Sequence, residues 1–381
     1  MRELFLLEPD VIFLNHGSFG ATPRPVFEVY QEWQRRLESQ PVRFLGRELG
    51  EHLAQARAEL GRYLNAHPDD LIFIPNATYG ANVVARSLRL EHGDEILASD
   101  QEYGACEYAW EYVCERTGAI YRRQAIPLQA SEEERVEAFW QGVAPRTKVI
   151  FLSHITSPTA LRLPVEPILQ RAREAGLITV IDAAHSPGQI PLNLAGLDVD
   201  FLFGNAHKWM MAPKGSAFLY VRRERQAQLE PLVVSWGYHP SPEMSSGSRF
   251  LNLFQWTGTR DPAAWLSVPA AIRFMEEHQW EGVRQRSHLL LRQVLEAFAD
   301  LTGLPPAYAQ DSDYAQMGIV PLPPLPAKVL KERLYEEYHI EIPVIEWAGK
   351  LFLRISVQGY NTPDELETLL RVMRRLLNEL S

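Results

Sequence analysis

The chain has 381 residues, of which 46% are hydrophobic and 23% are charged, and its formal net charge is −10. Such a composition is typical of a soluble globular protein with one large domain or two moderate ones. An acidic chain without clustered Lys and Arg disfavours nucleic acids and anionic membranes as partners. No apolar run approaches the roughly 18 residues that a transmembrane helix needs, so none is predicted.

The only cysteines are Cys106 and Cys114, and both fall in a predicted helix. Their spacing along a helix puts them about 12 Å apart, whereas a disulfide needs Cα atoms within about 7 Å. We therefore predict two free thiols without an assigned role, and no metal site. The N-terminal residues lack the layout of a signal peptide, and together with the free thiols this predicts a cytoplasmic location.

Taken in chain order, the first predicted elements are short apolar strands that alternate with helices. The strands cover residues 71–75, 95–99, 148–154, 177–182 and 199–204, and the helices cover residues 78–90, 103–118 and 166–176. Continuous apolar strands that alternate with helices are buried on both faces. The pattern therefore predicts a mainly parallel α/β sheet between helices.

The pattern changes after residue 261. Residues 262–301 are predicted to be almost wholly helical, and they precede strands at 316–322 and 350–358 and helices at 327–339 and 362–380. This order is typical of a smaller α+β domain at the C-terminus. We predict a large domain of residues 16–260 and a small domain of residues 1–15 and 261–381.

Polar residues follow four of the predicted strands, in the segments "NATYG", "ITSPTA", "DAAH" and "NAHKW". In open α/β sheets, ligands gather beyond the carboxyl ends of the strands. Taken singly, these residues could be a helix cap, a buried Asp–His pair, or a lysine that extends past Trp209. Together they provide a helix N-terminus for a phosphate, Asp182 for a pyridine nitrogen and Lys208 for an aldehyde. Those are the requirements of pyridoxal phosphate (PLP).

Several sequence blocks, in order, resemble one family. They are "FLNHGSFGATP", "NATYGAN", "EYGA", "SHITSPTA", "IDAAHSPGQ", "NAHKWMMAPKGSAFLYVR", "WTGTRD" and "LRISVQGYNT". The chain resembles the PLP-dependent fold-type I enzymes of the class V aminotransferase family, and is most similar to the isopenicillin N epimerase-like branch. The resemblance implies a PLP-dependent transferase-like fold with a seven-stranded large-domain sheet, and a homodimer with shared active sites.

The resemblance also implies roles for the residues that would touch the cofactor. Lys208 matches the lysine that forms the Schiff base, and Asp182 matches the partner of the pyridinium nitrogen. Tyr103 matches the aromatic residue that stacks on the ring. We predict that it is also a catalytic residue. His185 matches the contact to the phenolic oxygen, which Ser157 could share.

Five further residues match the positions that bind the cofactor phosphate. Thr78, the amide of Ala77, and His207 are the main candidates, and Asn205 is another. Thr259, in "TGTR", resembles a residue that reaches the phosphate of the neighbouring subunit, which implies the homodimer.

Arg354 resembles the arginine that holds the α-carboxylate of an amino-acid substrate, a group that suits a planar two-pronged donor. Asn15 and His16 are candidates for substrate binding at the entrance of the site. Arg43 and Phe44 could also line that entrance, although packing or surface positions would explain them equally well.

The resemblance leaves the reaction open. Desulfurases of this family use a cysteine on a loop after the lysine, and here both cysteines precede Lys208. We therefore predict chemistry at Cα of an amino acid, with epimerase-like activity first. An aminotransferase, a cysteine-independent C–S β-lyase and a non-catalytic PLP-binding protein are the alternatives. An epimerase needs a second acid on the opposite face of Cα, for which Tyr103 and His16 are candidates.

Overall fold

The computed structural model describes residues 1–242 and 245–380. Its strands are β1 (Ile12–Phe13), β2 (Leu71–Ile74), β3 (Glu95–Ser99), β4 (Ile120–Gln124), β5 (Thr147–Ser153), β6 (Ile178–Asp182), β7 (Phe201–Asn205), β8 (Ala217–Val221), β9 (Met317–Leu322), β10 (Ile340–Glu341), β11 (Val344–Trp347) and β12 (Lys350–Ser356).

The α-helices of the described chain follow in the same order. They are α1 (His16–Phe19), α2 (Arg24–Ser39), α3 (Pro41–Arg43), α4 (Leu49–Leu64), α5 (Ala77–Ser87), α6 (Gly104–Thr117), α7 (Glu132–Trp140), α8 (Val165–Glu174), α9 (Leu194–Leu197), α10 (Arg249–Gln255), α11 (Ala263–Leu266), α12 (Val268–Glu277), α13 (Trp280–Thr302), α14 (Ala327–Glu336) and α15 (Pro363–Leu380). None of them is long and apolar enough to cross a membrane.

A seven-stranded sheet forms the centre of the larger part of the chain, in the order β2-β8-β7-β6-β5-β3-β4. The pairs between β4, β3, β5, β6 and β7 are parallel, and β8 runs antiparallel to both of its neighbours. This arrangement confirms the predicted α/β fold with a mainly parallel sheet. Because β5, β6 and β7 are adjacent and parallel, their carboxyl ends meet at one edge.

Both faces of the sheet are buried, as the continuous apolar strands predict. Successive residues of β5 alternate between two cores: Ile150 packs in one cluster with Ile168 of α8, and Phe151 packs in the other with Trp110 of α6. This alternation follows from the two-residue period of a strand. The sheet therefore lies between two helical layers.

The C-terminal part is smaller and is built on an antiparallel sheet of order β11-β12-β9. Helix α13 packs on β9 and on α15, while α12 packs on α2 and α4. Strand β1 pairs with β10, with Ile12 opposite Ile340. This pairing joins the first residues to the C-terminal part, in line with the domain division predicted above, which stays a prediction.

Candidate active site

A cavity of about 350 Å³ opens at the carboxyl ends of β5, β6 and β7. This volume is within the range of small-molecule sites. Nine residues predicted from the sequence line the cavity: Ala77, Thr78, Tyr103, Ser157, Asp182, His185, Asn205, His207 and Lys208. The structure therefore brings together side chains that are up to 131 positions apart in the chain (208 − 77).

Two glycines pack against the backbone of residues 207–209, which we call the lysine segment, from both sides. At Gly20, where φ is +71°, a Cβ atom would collide with the carbonyl oxygen of His207. At Gly188, where φ is +89°, a Cβ atom would collide with the carbonyl group of Trp209. Both positions therefore need glycine for its conformational freedom and for its lack of a side chain, and their close approach fixes the segment that carries Lys208.

The amine of Lys208 lies beside a histidine with a defined tautomer. Trp209 Nε1 donates to His185 Nδ1 at 3.3 Å, and Lys208 Nζ lies 3.0 Å from His185 Nε2. Burial lowers the pKa of His185 well below its ordinary value, so the ring is neutral. Because Nδ1 accepts the indole N–H, the ring proton is on Nε2. His185 can therefore donate a hydrogen bond to an oxygen next to the lysine.

The environment of Lys208 makes its amine easier to deprotonate than a lysine amine in water. Burial lowers the pKa of Lys208 from 10.5 to about 8, and the nearby Arg354 cation acts in the same direction, while Asp182 opposes both. The uncharged amine is the nucleophilic form, and it is also the form that can accept a proton.

Asp182 ends β6 and is 3% exposed. Its Oδ1 accepts the amide N–H of Ala184 at 2.7 Å, and its Oδ2 accepts the thiol of Cys106 at 3.4 Å. Burial raises the pKa of Asp182, while the Ala184 amide and the Lys208 cation lower it. A buried carboxylate with only neutral donors in direct contact is well suited to receive a cationic ring nitrogen.

The N-terminus of α5 forms the anion-binding end of the cavity. Asn76 caps the helix by accepting the N–H of Tyr79 at 2.9 Å, and Asn205 Oδ1 accepts the N–H of Ala77 at 2.9 Å. Among the residues that the structure describes, the amide and hydroxyl groups of Thr78 have no hydrogen-bond partner. Free donors at the start of an 11-residue helix suit a phosphate.

His207 borders the same end of the cavity. Its Nδ1 lies 3.0 Å from the carbonyl oxygen of Ser216, so Nδ1 carries a proton. Burial lowers the pKa of His207 to about 4. Its Nε2 can therefore donate to an anion only when the ring takes up a second proton, which a bound phosphate dianion would favour.

Arg354, on β12, lies behind the cavity wall and is 5% exposed. Its Nη1 donates to the carbonyl oxygen of Ser157 at 2.5 Å, and its Nη2 donates to Ser18 Oγ at 3.1 Å. Its Nε is buried and has no partner in the described part of the chain. Burial lowers the pKa of Arg354 to about 10. The guanidinium therefore stays charged at neutral pH and retains donors for a carboxylate.

Four of the predicted site residues do not line the cavity of their own chain. Besides Arg354 these are Asn15, His16 and Thr259. His16 is fully buried, and its ring nitrogens contact the hydroxyl of Tyr360 at 3.0 Å and the carbonyl oxygen of Lys208 at 3.1 Å. These contacts support the lysine segment and leave His16 no route to a substrate. Thr259 is exposed.

The two further entrance candidates also lie elsewhere. Arg43 is 63% exposed and pairs with Glu48, and Phe44 is 2% exposed and packs on Trp33. Neither contributes to the cavity wall. The alternative explanation given for them, surface and packing positions, agrees with these contacts.

Sequence reasoning missed four residues around the site. Cys106 touches Asp182, and Trp209 fixes the tautomer of His185. Ser18 contacts Arg354, and Glu102 is buried beside Asp182, where its carboxyl group accepts the hydroxyls of Ser99 and Ser153 at 2.5 Å. Burial raises the pKa of Glu102 to about 8. The only prior signal was that Ser18, Glu102 and Trp209 fall in the quoted sequence blocks.

The arrangement fits PLP group by group. Unpartnered donors at Thr78 suit the phosphate, and the amine of Lys208 suits the aldehyde. The Nε2–H of His185 suits the phenolic oxygen, and the buried carboxylate of Asp182 suits the pyridine nitrogen. Among the described residues, no group of three or more His, Cys, Asp or Glu side chains could hold a metal ion.

Comparisons with known proteins agree with this chemistry. Residues 12–369 match the family "Aminotransferase class-V". The isopenicillin N epimerase of Amycolatopsis lactamdurans is 37% identical over 388 residues, which cover 98% of this chain and 97% of that protein. The isopenicillin N epimerase of Streptomyces clavuligerus is also 37% identical, over 99% of this chain and 98% of that protein. A probable chloroplastic L-cysteine desulfhydrase of Arabidopsis thaliana is 27% identical over 98% of this chain and 84% of that protein.

Solved structures share the fold at lower sequence identity. A C-DES mutant with glycine covalently linked to its PLP cofactor has a TM-score of 0.85 and 22% identity, covering 98% of this chain and 99% of that chain. The cysteine desulfurase CsdA of Escherichia coli has a TM-score of 0.84 and 21% identity, covering 100% of this chain and 98% of that chain. The family match and the two epimerase relatives confirm the predicted resemblance. The chain belongs to the class V aminotransferase family and is a PLP-dependent enzyme of fold type I.

Proposed function

We propose that this enzyme exchanges the proton at Cα of an amino acid in an epimerase-like reaction, with Lys208 as the proton carrier. One observation carries the proposal: the half-buried Lys208, whose amine has a lowered pKa, lies beside a buried carboxylate and near a buried guanidinium with free donors. These groups meet the needs of proton transfer at Cα, ring-nitrogen binding and carboxylate binding.

When bound, PLP supplies an electron sink for the bonds at Cα of the substrate. The protein's own part begins with holding the cofactor. Thr78 and His207 would bind its phosphate, and Asp182 would keep its ring nitrogen protonated. His185, whose Nε2–H lies near Lys208, would donate to the phenolic oxygen. Together these residues would hold the cofactor in the cavity.

The substrate is oriented by its carboxylate. Arg354 receives it with the donors that Ser157 and Ser18 leave free, and Lys208 is the amine that takes a proton from Cα and returns it. A base works best when its pKa is near the working pH, and the pKa of Lys208, about 8, meets that condition.

Epimerisation also needs an acid for the opposite face of Cα. Tyr103 lines the cavity, and its side chain is accessible there, with 48% of the residue exposed. His16 is a poorer candidate because both of its ring nitrogens are engaged and burial lowers its pKa to about 3. We therefore assign the second proton transfer to the hydroxyl of Tyr103.

The similarity to known proteins supports an epimerase-like activity over a C–S lyase. The two relatives named isopenicillin N epimerase share 37% identity with this chain, whereas the relatives named L-cysteine desulfhydrase in plants share 27% or less. Both cysteines precede Lys208, so no later cysteine can attack a substrate sulfur.

We also propose a homodimer with shared active sites, in the cytoplasm. Thr259 is exposed and does not line the cavity of its own chain, so any phosphate contact from it would reach a second subunit. Light scattering that found an active monomer at assay concentration would contradict the dimer.

The reaction is tested by incubating the PLP-loaded enzyme with a panel of single-enantiomer amino acids in deuterated water. Epimerisation predicts deuterium at Cα together with loss of optical activity. Keto acid formed only with an acceptor would instead identify an aminotransferase. Pyruvate with a released thiol would identify a lyase, and neither label nor product would identify a non-catalytic protein.

A further inference from the structure

A chain of side-chain hydrogen bonds connects the Arg354 guanidinium to a carboxylate outside the cavity wall. Arg354 Nη2 donates to Ser18 Oγ at 3.1 Å. Ser18 Oγ then donates to Asn15 Oδ1 at 2.5 Å, and Asn15 Nδ2 donates to Glu341 Oε1 at 2.9 Å. We call these four residues the Arg354 relay.

The backbone brings the members of the relay together. Strand β1 pairs with β10 so that Phe13 lies opposite Glu341, and the amide of Leu14 donates to the carbonyl oxygen of Glu341 at 3.0 Å. The carbonyl oxygen of Leu14 in turn accepts the amide of Ser356, two residues after Arg354, at 2.9 Å. Asn15 is thereby held between the strand that carries the carboxylate and the strand that carries the arginine.

The chemistry of the groups fixes the direction of every bond. A carboxylate can only accept hydrogen bonds, so the amide nitrogen of Asn15 must face Glu341 and its oxygen must face Ser18. Ser18 then donates its hydroxyl proton to Asn15 Oδ1. The lone pairs of Ser18 remain for the guanidinium, which can only donate. One carboxylate therefore makes Ser18 an acceptor for Arg354.

The relay leaves the positive charge of Arg354 free to bind the carboxylate of a ligand. No carboxylate in the described chain pairs directly with the guanidinium, whose protein partners are neutral oxygens of Ser157 and Ser18. A direct ion pair would occupy the two-pronged donor and compete with a ligand. Two neutral side chains separate Glu341 from the cation, so Glu341 orients it without neutralising it.

We infer that Glu341 and Asn15 are positioning residues, which hold Arg354 through Ser18 in the orientation that receives the carboxylate of an amino acid. The inference rests on the proposed function, because it assumes that Arg354 binds this group. It adds a residue of β10, outside all of the sequence blocks that resemble the family, to the determinants of substrate recognition.

The test compares two probes that differ by one carboxylate, glycine and methylamine. Both amines react with the PLP of the loaded enzyme, and the change in visible absorbance gives an apparent Kd for each without turnover. The variants are Glu341→Gln, Asn15→Asp, which cannot donate to Glu341, and Arg354→Ala. Glu346→Gln is the matched control, because Glu346 is an exposed carboxylate on neighbouring β11 without a side-chain partner in the described chain.

We expect Asn15→Asp to raise the apparent Kd of glycine about three- to tenfold, the effect of one lost hydrogen bond. Glu341→Gln should raise it by less, because the amide oxygen of glutamine can still accept from Asn15 but no longer fixes the direction of the bond. The value for methylamine should not change in either variant. Arg354→Ala should raise the glycine value about ten- to a hundred-fold, and Glu346→Gln should behave as the wild type. If Glu341→Gln does not retain PLP, Asn15→Asp decides the outcome.

Each contrary result identifies what has failed. Wild-type glycine affinity in both relay variants, with a loss in Arg354→Ala, would overturn the relay and leave the proposed function intact. An equal loss for glycine and methylamine would mean that Glu341 only supports the fold. Unchanged glycine affinity in Arg354→Ala would refute the proposed role of Arg354 and the relay with it.

Discussion

Asp182→Asn separates the charge of the carboxylate from its geometry. In the wild type, Oδ1 accepts the amide of Ala184 at 2.7 Å and Oδ2 accepts the thiol of Cys106 at 3.4 Å. An asparagine can keep the first contact with its oxygen and turn its NH₂ group toward the sulfur, a weak acceptor. The side chain therefore stays in place while the negative charge disappears.

This change should affect turnover but not the stability of the cofactor-free protein. Burial disfavours the carboxylate, as its raised pKa indicates, so the neutral amide should not lower the stability of the cofactor-free protein. Turnover depends on the charge, because a protonated ring nitrogen accepts electrons most strongly in the transition state. We expect kcat to fall at least about 100-fold, or about 2.7 kcal/mol of barrier, with a smaller loss of PLP affinity.

The assay is the rate of deuterium incorporation at Cα for whichever amino acid proves to be the substrate. PLP content is measured by absorbance and stability by thermal unfolding. Asp182→Glu is the companion variant, which should retain more activity because it keeps the charge but misplaces it. Wild-type turnover in the Asn variant with PLP bound would refute the reasoning and leave Asp182 as a strand-end cap.

Further variants test the remaining groups. Lys208→Ala should retain PLP through the phosphate contacts but lose turnover, and borohydride should fix the cofactor to Lys208 in the wild type; recovery of that label on another lysine would contradict the assignment. In the cofactor-free protein, the pKa of Lys208 is about 8 against an ordinary 10.5, so the unfolded chain holds a proton that the folded chain lacks between these pH values. Stability to urea should therefore rise from about pH 8 to 10.5, by at most about 1.4 kcal/mol per pH unit, and Lys208→Met should flatten that rise. Arg354→Lys should recover only part of the amino-acid affinity that Arg354→Ala loses, because lysine cannot make the paired contact; equal wild-type activity toward amino acids and simple amines would count against the carboxylate role. Cys114→Ser should leave kcat unchanged, whereas Cys106→Ala removes a donor from Asp182 and should lower kcat about three- to tenfold; equal kcat in the two variants would reduce Cys106 to a packing residue.

The elements that carry the site were predictable because their sequence signals are local. The predicted strand at 177–182 corresponds to β6 (Ile178–Asp182), and the predicted strand at 199–204 corresponds to β7 (Phe201–Asn205). Both are continuous apolar runs, which a fully buried parallel strand requires. The residues that follow them therefore fell at the expected edge of the sheet.

Two strands of the same sheet were missed for identifiable reasons. Strand β4 is an edge strand of sequence IYRRQ, and its two arginines pair with glutamates at the surface, so it lacks an apolar run. Strand β8 runs antiparallel to its neighbours and follows the lysine segment directly, without an intervening helix. The helix predicted over 262–301 is divided into three, with one break at Gln279, where φ is 49°.

The contacts around the site could not be predicted, because they join distant positions without a local signal. The helix position of Cys106 was predicted, but its contact to Asp182 spans 76 positions and depends on how α6 lies on the sheet. The same holds for His16: its sequence block suggested the entrance, but packing against Tyr360 places it beneath the lysine segment. Such contacts depend on tertiary packing and not on any pattern along the chain.

Two contacts around the site join residues that are far apart in the chain, and this separation affects how the protein folds during synthesis. His16 contacts Tyr360 across 344 positions, and Ser18 contacts Arg354 across 336. Contacts of such long range form late, since closing a long loop costs chain entropy before the contact repays it. While the chain is still on the ribosome, the central sheet can already form, but His16 lacks its Tyr360 partner and Arg354 is not yet present. The contacts that complete the surroundings of Lys208 and Arg354 therefore form only after the central sheet, once the strand that carries Arg354 has been made.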